Sequence, residues 1–203
     1  MALSRTDIAN MALGRVGAKP IMDLDDEDSL TARIVKIQFS PTVQEVGRSG
    51  EWNCLKDIAD LPQLVTAPAF GWSYNYQLPT DCLFLVKLNG VDWDNRPGDY
   101  AEVMGRKLLS NTDTAQIQYI SYKEDANEYD ALFVEAVVLL LAAKIAVPVQ
   151  GSDYTSLAAQ LLREYERKFT NARARDASER KKMPYDPASE SRWNRARYSS
   201  TAG

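Results

Sequence analysis

The sequence predicts a mainly α-helical fold: a helical bundle with an antiparallel β insertion and an extended C-terminal tail. Both ends of the chain carry apolar residues at helical spacing, whereas the middle shows short alternating strands separated by hairpin signals. The last residues have no apolar periodicity at all. We therefore divide the 203 residues into a helical core (1–71 plus 124–176), an antiparallel β insertion (72–123) and an extended C-terminal tail (177–203).

The first predicted helix covers residues 4–16. Ser4 is placed to cap its N-terminus, and Asp7, three residues later, completes the pattern of a capping box. Gly17 follows the last apolar residue of the stripe and suits the left-handed conformation that ends many helices.

A second helix is predicted from about Ser29 to Gly47, and Pro41 either kinks it or restarts it. Its apolar positions are Ile34, Ile37 and Phe39. Residues 48–71 hold several helix breakers and are predicted to be irregular, with Trp52 as an anchor.

A dense acidic run separates these two helices: Asp23, Asp25, Asp26, Glu27 and Asp28. A calcium loop is one interpretation, but the run lacks the glycine and the distant bidentate glutamate of an EF-hand. We favour a solvated loop whose last carboxylates interact with the positive N-terminus of the next helix.

The β insertion is predicted from alternation and turn residues. Asn89-Gly90 is the strongest short hairpin signal, and Gly105-Arg106 indicates a second hairpin. Strands are expected around residues 74–78, 83–88, 100–103, 107–109 and 115–122.

Two further helices are predicted after the β insertion. The first, residues 130–147, is apolar on all sides and is stopped by Pro148 and Gly151; we favour a helix buried within the protein over a membrane span. The second reaches about Asp176, and its apolar stripe consists of Leu157, Leu161, Tyr165, Phe169 and Ala172.

The composition argues against an enzyme. The chain has no histidine, so the usual acid–base residue at neutral pH and most zinc sites are excluded. No phosphate-binding loop, nucleophile elbow or zinc-protease motif occurs, and we expect no cofactor and no metal. Cys54 and Cys82 are interpreted as a buried, reduced pair.

Charge is distributed unevenly along the chain. Residues 1–176 hold eighteen basic and twenty-five acidic side chains, a net charge of −7, whereas residues 177–203 hold six and three, a net charge of +3. An acidic body with a basic tail indicates that the body contacts something other than nucleic acid.

Three segments resemble one known family. They are A-x-x-A-L-G-R-V-G-A-K-P-I (residues 9–21), A-P-A-F-G-W-S-Y-N-Y-Q-L-P-T-D-C-L (residues 67–83) and E-Y-D-A-L-F-V-E-A (residues 128–136). In order and spacing they are similar to the head-to-tail adaptor, or tail tubular protein A-like, proteins of tailed phages. The middle segment is the most specific, and the resemblance covers about residues 3–176.

The resemblance implies a structural protein of the virion neck, made in the host cytoplasm, with no membrane contact. Such subunits form a homo-oligomeric ring, expected to be a dodecamer that matches the portal protein above it. The ring extends the DNA channel, through which DNA passes without sequence-specific binding. It also provides the attachment platform for the tail, nozzle or next neck protein.

Three sets of residues are candidate contact sites. Glu164 and Lys168, on the polar side of the last helix, are candidates for contacts between subunits. Trp72, Asn89, Gly90 and Trp93 are candidates for contacts of the β element with the tail-side protein or a neighbour. The tail offers anchors for the portal or a neighbour: Tyr185, Arg192, Trp193, Arg195, Arg197 and Tyr198.

Two alternatives stay open. A DNA-packaging or terminase-associated protein would need a basic recognition face, and the only basic cluster is the tail. A carboxylate-based hydrolase would need two acids facing each other across a cleft.

Overall fold

The computed structural model describes residues 3–95 and 100–179 and has a mixed α/β fold. Helices account for 48% of the structure and strands for 20%. The helices are α1 (Arg5–Arg15), α2 (Leu30–Ser49), α3 (Ala131–Gln150) and α4 (Thr155–Glu179). The strands are β1 (Lys56–Asp60), β2 (Tyr74–Gln77), β3 (Cys82–Leu88), β4 (Val91–Asp92), β5 (Ala101–Met104), β6 (Lys107–Ser110) and β7 (Gln116–Ser121).

The prediction of a mainly α-helical bundle is therefore wrong. The strands form two antiparallel sheets, a first sheet in the order β1-β7-β3-β4 and a second in the order β2-β6-β5. The first sheet is a layer of the fold: it packs Val86 and Ile120 against the helices and Leu85 and Leu88 toward the second sheet. Helical patterning near the chain ends could not reveal this layered packing.

Two hydrophobic cores result. The helix-side core lies between the four helices and one face of the first sheet, and the sandwich core lies between the two sheets. Side chains alternate across a strand, so the first sheet contributes to both cores.

Local capping explains where the helices begin. Ser4 Oγ accepts a hydrogen bond from Asp7 N at 3.0 Å, and Asp7 Oδ2 accepts one from Ser4 N at 2.9 Å, which confirms the predicted capping box. Ser29 Oγ caps α2 by accepting from Ala32 N at 3.1 Å. Gly17, after α1, has a φ of +69° and so occupies the expected left-handed region.

Helix α3 is the centre of the helical layer and packs against the other three helices. It is long and apolar enough to cross a membrane, but 61% of its most apolar 18-residue window is buried within this fold. The helix continues through Pro148 and ends at Gly151, whose φ is +97°, so the prediction that Pro148 stops it is wrong. Pro148 removes one hydrogen bond, the one that a backbone N–H at this position would donate to Lys144 O, and the helix ends two residues later.

An aromatic cluster fills the helix-side core where α3 meets α4. Trp52 is 2% exposed, donates its indole N–H to Val46 O at 2.8 Å, and meets Phe133 edge-on at 5.2 Å between ring centroids. Tyr165 stacks on Phe169 at 5.5 Å between ring centroids. The predicted stripe residues Leu157, Leu161, Tyr165 and Phe169 all pack against the helix-side core. The predicted anchor role of Trp52 is confirmed.

Both predicted hairpins are present, and two strands, β1 and the two-residue β4, were not among the predicted ones. Asn89 and Gly90 have φ values of +48° and +81° between β3 and β4, and Gly105 has +61° between β5 and β6. Strand β1 lies inside the segment predicted to be irregular and pairs with β7, from Lys56 opposite Ile120 to Asp60 opposite Gln116.

Candidate protein-interaction surfaces

Helix α2 has apolar residues on two opposite sides. One side packs into the helix-side core and consists of Ala32, Val35, Phe39, Val43 and Val46. The opposite side is exposed, with Leu30 at 75% and Ile37 at 70%. We call Leu30, Ile37 and Pro41 the outer stripe of α2; at about 100° per residue these three positions share one face.

The outer stripe corrects one detail of the sequence prediction. Ile37 was placed with Phe39 among the apolar positions of one helix, but residues two apart point about 200° away from each other. Phe39 is 1% exposed, whereas Ile37 faces outward. A helical wheel of residues 30–46 is the signal that separates the two sides.

The connection between β1 and β2 carries a second exposed apolar surface. Val65 is fully exposed, and Phe70 is 86% exposed. The connection is held at its base by Asn75, whose Nδ2 donates to Thr66 O at 2.8 Å. Trp72, a predicted contact residue, is half-buried at the end of this connection.

The Asn89-Gly90 hairpin is anchored to the strand beside it. Asn89 Oδ1 accepts from Gln116 N at 2.8 Å, and Asn89 Nδ2 donates to Thr114 O at 3.0 Å. Trp93 begins a 3₁₀ turn after β4 and packs partly against the sandwich core. Of this predicted group, Gly90 is exposed at the hairpin, while Trp93 is half-buried.

Glu164 and Lys168 take part in a charge network within the subunit. Lys168 Nζ lies 2.6 Å from Glu135 Oε1 and 3.2 Å from Glu164 Oε1, and Arg15 Nη2 lies 3.0 Å from Glu135 Oε1. The hydrogen bond from Lys168 lowers the pKa of Glu135, and the same bond raises the pKa of Lys168. The network joins α1, α3 and α4.

A cavity of about 360 Å³ opens between the C-terminal end of α2 and the β5–β6 turn. Two arginines line it from residues that are far apart in sequence. Arg48 donates to Leu83 O at the start of β3, and Arg106 donates to Pro79 O just before that strand. The remaining walls are mainly apolar, formed by Leu78, Cys82, Leu83, Phe84, Leu85, Trp93, Val103 and Gly105. We call this cavity the arginine pocket.

Neither arginine of this pocket has a carboxylate partner among residues 3–95 and 100–170. Each guanidinium has five N–H donors, so most of them remain free. Burial raises the pKa of Cys82 to about 11, so this thiol is neutral at physiological pH and supplies no counter-charge. The pocket thus combines two exposed guanidinium groups with apolar walls, and the Asp81 carboxylate, which acts on the Cys82 thiol, is not among its lining residues.

Cys54 and Cys82 are free thiols, each partly exposed. The acidic run forms a tight turn in which Asp23 Oδ1 accepts from Asp25 N at 2.7 Å and from Asp26 N at 3.0 Å. In the stretches that the structure describes, no group of three or more His, Cys, Asp or Glu residues is arranged to hold a metal ion.

The predicted contact residues of the tail, from Tyr185 to Tyr198, lie outside the described residues, as does the rest of the chain after Glu179. Helix α4 extends three residues beyond the boundary of 176 assigned to the helical core.

Comparison with known proteins adds no relative. No protein-family model matches the chain, and no curated protein shows significant similarity to it.

Proposed function

We propose that this protein is a structural subunit of the neck of a tailed-phage virion, a head-to-tail adaptor that assembles into a ring. The observation that carries the assembly part is the outer stripe of α2. A helix of a monomeric domain needs one apolar side, whereas α2 has a second, exposed apolar side on which a neighbouring copy can pack.

The kind of assembly is inferred from the sequence. The resemblance to adaptor proteins rests on residues 9–21, 67–83 and 128–136, and it implies a ring beneath a portal protein. The middle segment forms the exposed connection with Phe70 and the start of the second sheet, a location suited to a protein contact.

The charge of the body supports a conduit for DNA. Residues 1–176 carry a net charge of −7, and acidic walls let DNA pass because they offer few cations to its phosphates. A ring of twelve copies would match the expected symmetry of the portal, and its contacts would be head-to-tail, each copy using two different surfaces.

The test is ring formation by Ile37→Asp on purified portal complexes, observed by electron microscopy. A carboxylate in the outer stripe should lower the occupancy of the ring at least ~10-fold, because an interface core tolerates an unpaired charge poorly. Ile58→Asp makes the same chemical change at an exposed residue of β1, outside α2 and outside the connection between β1 and β2, and its rings should remain.

Wild-type protein that forms no ring on any portal complex, or that forms only two-fold dimers, would contradict the proposed function. If Ile37→Asp forms rings as well as the wild type, the outer stripe of α2 is not the surface on which neighbouring copies pack.

A further inference from the structure

The two guanidinium groups of the arginine pocket are exposed to solvent and accessible to a carboxylate of a partner. The body has an excess of acids, yet none of those described comes within 4 Å of Arg48 or Arg106. Among the described residues, the two guanidinium groups donate hydrogen bonds to two backbone carbonyls, those of Leu83 and Pro79. A fixed pair of arginines beside apolar walls fits a carboxylate that is carried next to an apolar side chain.

A matching group lies at the other end of α2, in the loop of residues 22–28. Met22 is 93% exposed, and the exposed carboxylate of Asp26 has no ion-pair partner among the described side chains. The loop is held in shape, since Glu27 Oε2 accepts from Met22 N at 2.6 Å and Glu27 N donates to Asp23 O at 3.3 Å. We call it the acidic loop.

We propose that the acidic loop of one copy binds in the arginine pocket of the next copy, with Asp26 between Arg48 and Arg106 and Met22 against the apolar wall. This inference rests on the proposed ring and names the contact that joins its subunits.

The positions of the two sites on one helix give the contact its direction. The acidic loop comes just before α2, and Arg48 is the last residue but one of α2. Because α2 has 20 residues, about 30 Å separate the loop from Arg48. Arg48 comes 18 residues after Leu30, five whole turns, and so lies on the same side as the outer stripe. Loop and pocket are different surfaces of one copy, so when each copy gives its loop to one neighbour and its pocket to another, the contact repeats head-to-tail along a ring.

Duplex DNA fits the pocket less well than a loop does. A cavity of about 360 Å³ admits one or two side chains but not a double helix, whose major groove alone is about 12 Å wide. The surrounding body is acidic and repels phosphates.

Charge reversal tests the contact on portal-bound rings and in solution. Asp26→Lys alone, and Arg48→Glu combined with Arg106→Glu, should each weaken assembly at least ~10-fold because like charges then face each other. Mixing equal amounts of the two variants should restore rings that contain both in a 1:1 ratio. In such rings, each unchanged acidic loop contacts an unchanged arginine pocket. Each loop with Asp26→Lys contacts a pocket with the two Arg→Glu substitutions. Asp153→Lys and Arg163→Glu, reversals at exposed side chains away from both sites, should leave assembly unchanged.

The outcomes separate this contact from the ring itself. Wild-type rings with equally good rings from both reversed variants would overturn the contact but leave the proposed function standing. Failure of the mixture to assemble would also overturn it. If the pocket variant keeps its ring but loses the portal, the pocket binds an acidic segment of the portal, and the proposal is wrong. Absence of wild-type rings would defeat the proposed function first.

Discussion

The helix-side core and the sandwich core are built differently, although they share the first sheet. The helix-side core collects large apolar and aromatic side chains from all four helices, around Trp52 and Phe133. The sandwich core is smaller, and buried polar groups lie in and beside its second sheet: Ser110 Oγ bonds Tyr100 O at 3.1 Å, and Tyr76 Oη donates to Thr112 O at 2.7 Å.

This difference indicates which part of the molecule is easier to open. Apolar burial stabilises the helix-side core roughly in proportion to its larger area, whereas the second sheet depends more on hydrogen bonds whose net contribution is about 1 kcal/mol each. We expect the second sheet to open locally before the helices separate.

Truncating the helix-side core should have the largest effect. Phe133→Ala removes a fully buried ring that contacts Trp52 and Tyr129, and it should lower the free energy of unfolding by about 4 kcal/mol. Leu108→Ala, at a fully buried site of the sandwich core, is the comparison and should cost about 3 kcal/mol. Urea denaturation measures both, and a larger loss for Leu108→Ala would reverse the proposed order of the cores.

The thiol of Cys82 reports on the sandwich core, against which it packs. Burial raises its pKa from 9.0 to about 11, so the folded protein holds the neutral thiol and should be alkylated at pH 8 about 100-fold more slowly than the unfolded chain. Because the folded pKa is raised, this preference stabilises the fold below pH 9 and is lost as the pH rises through 11. Iodoacetamide labelling in a Cys54→Ser background gives the rates; equal rates for folded and unfolded protein would contradict the burial.

The smallest effect is expected from Tyr76→Phe, which removes only the hydroxyl that bonds Thr112 O. We expect a loss of about 1 kcal/mol, because the carbonyl it leaves can reach solvent. The hydroxyl of Tyr74 has no hydrogen bond among the described residues. Tyr74→Phe is therefore the matched control and should leave the free energy of unfolding unchanged. Thermal unfolding of the two variants side by side distinguishes a true hydrogen bond from a general loss of polarity.

Local sequence signals predicted the local features of the fold. The capping box at Ser4, the left-handed Gly17 and the two hairpin turns each depend on a few neighbouring residues, and each is confirmed. Strand β1 was missed because its five residues are largely exposed and its pairing partner β7 lies some sixty residues later. The balance of helix and sheet was misjudged for the same reason, since sheet formation depends on distant pairing.

The candidate sites divide along the same line. Exposed aromatic and apolar residues near Trp72 were visible in the sequence, and the outer stripe of α2 was visible on a helical wheel. The arginine pocket was not, because Arg48 and Arg106 are 58 positions apart and meet only when α2 packs beside the β5–β6 turn.

The shared first sheet also has a mechanical consequence. Neighbouring residues of β3 face opposite layers, Leu85 toward the second sheet and Val86 toward the helices. The backbone hydrogen bonds of β3 therefore resist forces from both the second sheet and the helices. A push on the hairpins is transmitted through this sheet to α2, which packs against β3 and β7. We therefore expect the helices and the first sheet to tilt as one stiff unit under force, with deformation confined to the second sheet.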